Sequence, residues 1–320
     1  MSSKRGRSDS TAAEGERPSK NVRSDSIWFT DGNVILEAEG KQFRVHRGVL
    51  AQHSTVFRDM FLLAQPSDGP TVDDCPVVCL SDAAQDVEHL LHALYDRLYH
   101  NEKTPPFSFV AAMIRLGHKY GCIQLRDDAL SHLTTDCPQT LHEWDLGGDY
   151  YFNLIKPQGP DLVLDILALA QEQRLFSILP FAYYYLCSVP FELAGFINDN
   201  DGAISISKDD LLKCITGAQK LHWAKMKTFK WLDEVPYGSC TSPKCGTHAR
   251  KIKKIIWQDS DAYSSDHHAL SEWDSSWEKR LCVKCAAKCK SVHKDGREKA
   301  WESLPEIFGL PDWNDLTNFD

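Results

Sequence analysis

The 320-residue chain has no stretch apolar enough to promise a membrane span. Its longest candidate, Leu175 to Phe191, runs for 17 residues without a charge, but it contains Pro180, Pro190 and three consecutive tyrosines, Tyr183 to Tyr185. A span needs about 20 mostly apolar residues, so a buried soluble helix is the expectation and no membrane partner follows. No apolar run stands behind the polar, basic start Met1-Ser-Ser-Lys-Arg-Gly-Arg, so no secretory leader is expected, and the setting is read as intracellular, cytoplasmic or nuclear. The usual signatures of catalysis are also missing. There is no P-loop, no HExxH, no GxGxxG after a strand and no GxSxG. His142-Glu143 and His267-His268 have no partners at catalytic spacing and read as polar loop residues, so the chain is not expected to be an enzyme. Nor is there a global excess of positive charge: the net charge of −9 disfavours a protein that coats nucleic acid over its whole surface.

What is present is ordinary globular material, 42% apolar with nine Trp, enough for sizeable cores. Residues 1–26 are the exception. They are almost wholly Ser, Arg, Lys, Asp and Glu, cannot bury enough surface to offset ordering entropy, and are expected to form a disordered tail. Lys4, Arg5 and Arg7 read as a solvated basic stretch before they read as an import signal. Order is expected from Ile27. Asn33 to Ala38 and Lys41 to Val45 form a hairpin across Glu39-Gly40, and Val49, Leu50, Val56, Phe57, Met60 and Phe61 fall at helical offsets around a break and N-cap at Ser54-Thr55. Pro66 to Pro76 reads as loop and Val77 to Leu80 as a short buried strand. Val87, Leu90, Leu91, Leu94, Tyr95 and Leu98 make one apolar helical stripe. Helices follow over Phe109 to Tyr120, capped by Gly121, and over Leu125 to Thr134. Asp161 to Glu172 and Leu175 to Cys187 are apolar helices, and Ser207-Lys-Asp-Asp210 is a capping box ahead of a helix running to about Trp231.

A hairpin, two short helices, a strand and further helices make a small α+β domain. Asp31-Gly-Asn-Val, Phe43-Arg-Val-His46-Arg-Gly-Val-Leu50, Ser54-Thr-Val-Phe57-Arg-Asp-Met60-Phe61 and Leu116-Gly-His-Lys-Tyr-Gly121 carry a resemblance. Over residues 27–137 the chain resembles the BTB/POZ domains, most of all their fungal group. The resemblance implies a protein that acts by shape: such domains dimerise, bind cullin-type ubiquitin-ligase scaffolds or recruit transcriptional partners. It implies core roles for Leu50, Phe57 and Phe61, and a satisfied structural contact for His46. Two features depart from the family. The helix that usually precedes the first strand is replaced by the charged tail, so a monomer or weak homodimer is expected. The segment Asp96 to Pro106 offers Glu102 without an apolar residue two positions earlier, so cullin binding is open but unsupported.

Eleven cysteines occur, in a compartment expected to be reducing, where structural disulfides are rare. Cys75, Cys79, Cys122, Cys137, Cys187 and Cys214 are scattered singly and read as small buried hydrophobes. The other five are grouped. Cys240-x4-Cys245-Gly246 and Cys282-x2-Cys285 are two short-spaced pairs of the kind that hold tetrahedral zinc. Cys240, Cys245, Cys282 and Cys285 are the expected ligands of one structural Zn2+, with Cys289, His248 or His293 as possible replacements for one of them. Four thiolates leave no water position, so catalysis at the metal is not expected.

Residues 237–300 carry 13 Lys and Arg against 8 Asp and Glu, a net of +5, in Arg250 to Lys254 and in Lys284, Lys288, Lys290 and Lys294. Without finger spacing or a stacking pattern, a solvated face is preferred to a nucleic-acid surface. The apolar, Pro-broken end from Ala300 to Trp313 is expected to pack back on the C-terminal part. The expected organisation is a tail (1–26), a BTB/POZ domain (27–137), a helical region (138–236) and a zinc-stapled module (237–320). The expected role is a non-enzymatic protein-binding adaptor with partners of unknown identity.

Overall fold

The computed structural model describes residues 21–63, 69–96, 104–147, 154–155, 162–188, 206–258 and 267–319. The backbone forms two compact units, residues 1–100 with 118–123, and residues 101–117 with 124–320.

The first unit is built on a five-stranded sheet of order β1-β3-β2-β5-β4. The expected hairpin is β2 (Val34–Ala38) and β3 (Lys41–Val45), paired antiparallel with Ala38 opposite Lys41. Its turn residues Glu39 and Gly40 both have positive φ, the twist that a two-residue hairpin turn requires. One face of the hairpin, Val34, Leu36, Phe43 and Val45, is almost fully enclosed, and the other is covered too, with Ile35 and Gln42 buried. β5 (Cys75–Leu80) lies parallel to β2, and β4 (Thr71–Val72) pairs with its start. Pro66 to Pro76 is therefore not all loop: Thr71, Val72, Cys75 and Pro76 join the sheet edge.

The larger correction is at the N-terminal side. Residues 1–20 lie outside the described residues, but Val22 to Ser26 are not a disordered tail. They begin β1 (Val22–Trp28), which runs parallel to β3. The reason is polar rather than apolar. Ser24 and Ser26 reach Glu88 with their hydroxyls, Lys41 pairs with the same carboxylate at 2.9 Å, and Arg23 pairs with Asp73 at 3.1 Å. An edge strand held by its ladder and by ion pairs leaves little hydrophobic trace in the sequence.

Helices α1 (Arg47–His53) and α2 (Thr55–Leu62) meet at Ser54 as expected. Its hydroxyl accepts from the Phe57 amide at 3.0 Å and donates to the Tyr120 carbonyl at 2.5 Å. Phe57 is 1% exposed and stacks on Tyr120. α3 (Ala84–Tyr95) buries Val87, Leu90 and Leu91, and Leu98 lies outside the described residues. α4 (Phe107–Tyr120) ends at Gly121, whose φ of +67 makes it the expected C-cap. α5 spans Ile123–Asp136.

The second unit is helical beyond that point: α6 (Leu141–Gly147), α7 (Leu162–Glu172), α8 (Leu179–Ser188), α9 (Lys208–Thr228), α10 (Trp231–Glu234), α11 (Cys245–Gln258), α12 (Ser275–Glu278), α13 (Val283–Glu302) and α14 (Leu304–Ile307). Ser207 caps α9 through the Asp210 amide, and the buried Asp210 carboxylate also accepts from Tyr183 on α8 at 2.5 Å. α9 stops at Thr228 rather than Trp231, which opens the separate turn α10. Two glycines let helices approach closely. A Cβ on Gly217 would strike the Phe308 ring, and one on Gly296 would lie 2.5 Å from the Thr228 Cα. The C-terminal segment thus packs back, with Phe308 stacked on Tyr183 and Trp301 stacked on Trp313. Gly296→Ala should cost about 1–3 kcal/mol, because the obstacle is backbone and cannot swing aside. Urea denaturation reads this directly, and a change below about 0.5 kcal/mol would contradict the close approach.

Candidate metal centre

The loop between α10 and α11 and the turn before α13 bring four sulfurs together. Cys240 sits in the loop, Cys245 opens α11, Cys282 caps α13 and Cys285 lies in its first turn. All four Sγ atoms lie within 4.8 Å of one another. The Cys240 and Cys282 sulfurs are 3.9 Å apart. A tetrahedron with Zn–S bonds of about 2.3 Å has edges of about 3.8 Å. All eleven cysteines are free thiols, so the cluster is not a pair of disulfides.

Backbone donors face the sulfurs. The Cys282 amide donates to Cys245 Sγ at 3.2 Å, and the Ser242 amide points at Cys240 Sγ at 3.5 Å. Such donors stabilise thiolates. The missing side chain of Gly246 makes room for Pro236, 3.2 Å from where a Cβ would stand. Below the sulfurs lies a buried apolar core of Phe229, Trp231, Ile252, Trp277 and Val292, to which Cys245, Cys285 and Cys289 themselves belong.

The thiols respond unequally to these surroundings. Hydrogen bonds from the Thr241 side chain and backbone hold Cys282 down at about 5. Burial pushes Cys285 up to about 12 and also raises Cys245. Buried thiols of this kind, whose thiolate forms would repel one another, become thiolates when a dication sits between them. The donor set, its spacing and its amide donors fit a structural metal.

The alternative ligands are engaged elsewhere. The Cys289 thiol is fully buried beside Tyr237 and is held up at about 12 by burial. His248 Nδ1 contacts the Arg280 carbonyl. His293 is enclosed, with Nε2 2.9 Å from the Ser271 carbonyl and Nδ1 accepting from the Trp231 indole. Sequence reasoning missed Thr241, which meets Cys282 through side chain and backbone, Ser242, which offers its amide to Cys240, and Tyr237, whose side chain meets Cys289.

The remaining polar candidates are structural. His46 lies between Asp31 and Tyr95, with its Nε2 3.2 Å from the carboxylate. Glu143 accepts from the Gln139 and Thr140 amides and so caps α6. His268 Nδ1 bonds the Tyr184 hydroxyl at 2.7 Å.

Burial, followed by the Arg297 charge, holds His268 at about 4 against 6.5 when free, and burial holds His293 at about 4 as well. The unfolded chain therefore binds more protons between these values. The stabilisation is complete above pH 6.5 and is lost as pH falls through 4. By pH 5 it should cost about 2 kcal/mol per histidine. Thiolate protonation acts in the same direction, so the check is a difference: the pH 7.5-to-5 drop in urea stability should shrink in His268→Gln relative to wild type. An unchanged drop would contradict the neutral, buried state of His268.

Residues 28–136 match the family model of the BTB/POZ domain, and the chain accordingly contains a BTB/POZ domain, a protein–protein interaction module. The match takes in β2 to β5 and α1 to α5, and ends before the cysteine site. No curated protein matches the chain. Among the described residues no helix is long and apolar enough to cross a membrane.

Proposed function

We propose that this chain is a non-enzymatic interaction protein. Its BTB/POZ domain is the recruiting or assembly module, and a Zn2+ held by Cys240, Cys245, Cys282 and Cys285 staples the C-terminal part. The observation that carries the reading is the BTB/POZ match over residues 28–136. The non-enzymatic character rests on the missing catalytic motifs and on a four-thiolate donor set that leaves no position for substrate. We retain the organisation into a domain at 27–137, a helical region at 138–236 and a zinc-stapled part at 237–320, the likeness to the fungal group, and an intracellular setting, cytoplasmic or nuclear. A strong dimer is not part of the proposal. Residues 97–103, which hold most of the segment relevant to cullin binding, lie outside the described residues, and Glu102 still lacks its apolar companion.

A DNA-associated regulator is the second reading, favoured by the net charge of residues 237–300. Part of that charge is already compensated: Lys253 pairs with Asp233, Lys290 with Glu278 and Lys294 with Glu298. A mobility shift of duplex DNA by the full chain at two salt concentrations separates the readings, since phosphate binding weakens steeply with salt.

The test of the first reading is quantitative affinity purification from native cells. Leu62 and Leu63 end α2 with 79% and 70% exposure. Leu62→Asp with Leu63→Asp should remove the proteins recruited by the BTB/POZ domain and leave the fold intact by circular dichroism. An identical set of co-purifying proteins for wild type and this variant would count against recruitment through that face.

A further inference from the structure

α9 presents an apolar face to solvent. Leu212, Ile215, Trp223 and Met226 are 59%, 60%, 59% and 44% exposed. At 100° per residue these positions fall within about 80° of the helix circumference, as two apolar pairs, Leu212 with Ile215 and Trp223 with Met226, separated on the same face by the exposed Gln219. Single exposed apolar residues are commonplace, but an aligned stripe that includes a tryptophan is the mark of a contact surface.

Two clefts border the stripe's Trp223 and Met226 end. One, of about 570 Å³, runs between α9 and α13 and includes Trp223 in its wall. Its rim carries Lys220, Lys227, Lys230 and Lys299 against only Asp295 and Glu306. Lys220 is turned onto the carbonyls of Glu306 and Ile307, whereas Lys227, Lys230 and Lys299 are solvent-exposed and form no ion pair among the described residues. The other cleft, of about 530 Å³, lies on the Met226 side and carries Arg250, Lys253 and Lys254 against Asp233. The chain as a whole has a net charge of −9, so this local cationic border is selective.

We propose that the α9 stripe is the docking site of an acidic amphipathic helix from a partner protein. An apolar seam flanked on both sides by lysines matches a helix with leucine-type residues on one face and Glu or Asp beside them. Helix-in-groove recognition places the partner's anchors at i, i+3, i+4 and i+7, and Trp223 with Met226, three residues apart between the two clefts, is where such anchors would seat. A second copy of this chain is the less favoured occupant, because it would bring the same lysines against one another. The surface lies wholly within the second unit and does not involve the BTB/POZ domain or the four-cysteine site.

The test uses the full-length, zinc-replete chain and a fluorescein-labelled synthetic 21-residue helix with Leu at i, i+3, i+4 and i+7 and Glu elsewhere. Controls are the same peptide with Lys for Glu and a sequence-scrambled Glu peptide. Fluorescence anisotropy should show the acidic helix binding about tenfold or more tighter than either control. Trp223→Ala should weaken it about tenfold or more, and Lys227→Glu with Lys299→Glu should weaken it and flatten its salt dependence. Lys284→Glu, which changes a basic residue outside both clefts, should leave binding unchanged. Equal binding of the acidic and basic peptides, or full affinity in Trp223→Ala, would overturn the proposal. So would sedimentation showing a wild-type dimer that Trp223→Ala dissociates, since a second copy would then be the occupant. None of these outcomes touches the affinity-purification test of the BTB/POZ face.

Discussion

Cys285→Ser is expected to release the metal and lower the stability of the second unit by about 5 kcal/mol or more. Zinc binding to four-ligand peptides is worth roughly 10–16 kcal/mol at neutral pH. Less than this is at stake here because the core of Trp231, Ile252, Trp277 and Val292 persists without the ion. Cys285 is 0% exposed, so the variant also leaves a hydroxyl among buried sulfurs. A loss of that size should bring the second unit's melting temperature down on the order of 10–20 °C. Chelation of wild type should reproduce the effect, and the first unit's transition should stay in place. Because thiolates bind the metal and thiols do not, affinity should fall with pH. Hydrogen exchange would locate the loosened region, expected at 237–258 and 275–302. A melting temperature unchanged by both chelator and substitution would mean that the thiols are spectators.

Phe57→Ala should destabilise the first unit by about 3–5 kcal/mol. The ring is 1% exposed, its centroid lies 4.6 Å from that of Tyr120 and 6.0 Å from that of Phe61, and its amide is the one Ser54 caps. Removing it empties a site closed on several sides, which cannot collapse fully. Urea denaturation followed by near-ultraviolet circular dichroism would read the loss, and a value under 1 kcal/mol would contradict the placement of Phe57 in the core.

The hairpin Val34–Ala38 and Lys41–Val45 was legible because Val34, Leu36, Phe43 and Val45 fall on one enclosed face of the pair, and because Gly40 admits the positive φ of the turn. Ser54 and Ser207 were legible because a capping hydroxyl acts on an amide three residues away, a purely local event. β1 was not, since Val22 to Ser26 are held by a neighbouring strand and by Glu88 and Asp73, more than 45 positions distant. The end of α9 was missed for a similar reason: tertiary contacts enclose Thr228 and Trp231, and the helical pattern does not break there.

For the site, spacing alone picked out Cys240, Cys245, Cys282 and Cys285, because short pairs are what a small ion needs. Spacing could not separate Cys285 from Cys289, one helical turn apart on α13. The difference is three-dimensional: Cys289 faces the core beside Tyr237, while Cys285 meets the loop sulfurs. The stripe on α9 was equally hidden, since Leu212, Ile215, Trp223 and Met226 look like core residues until the opposite face, Asp210, Cys214 and Gly217, proves to be the buried one.

The central claim is tested most directly by elemental analysis of the full chain purified under reducing conditions without chelator. The account predicts one zinc per chain, lost in Cys240→Ser and Cys282→Ser and retained in Cys187→Ser and Cys289→Ser. Wild-type protein without zinc would contradict it, and zinc that survives Cys240→Ser but leaves with Cys289→Ser would contradict the ligand set.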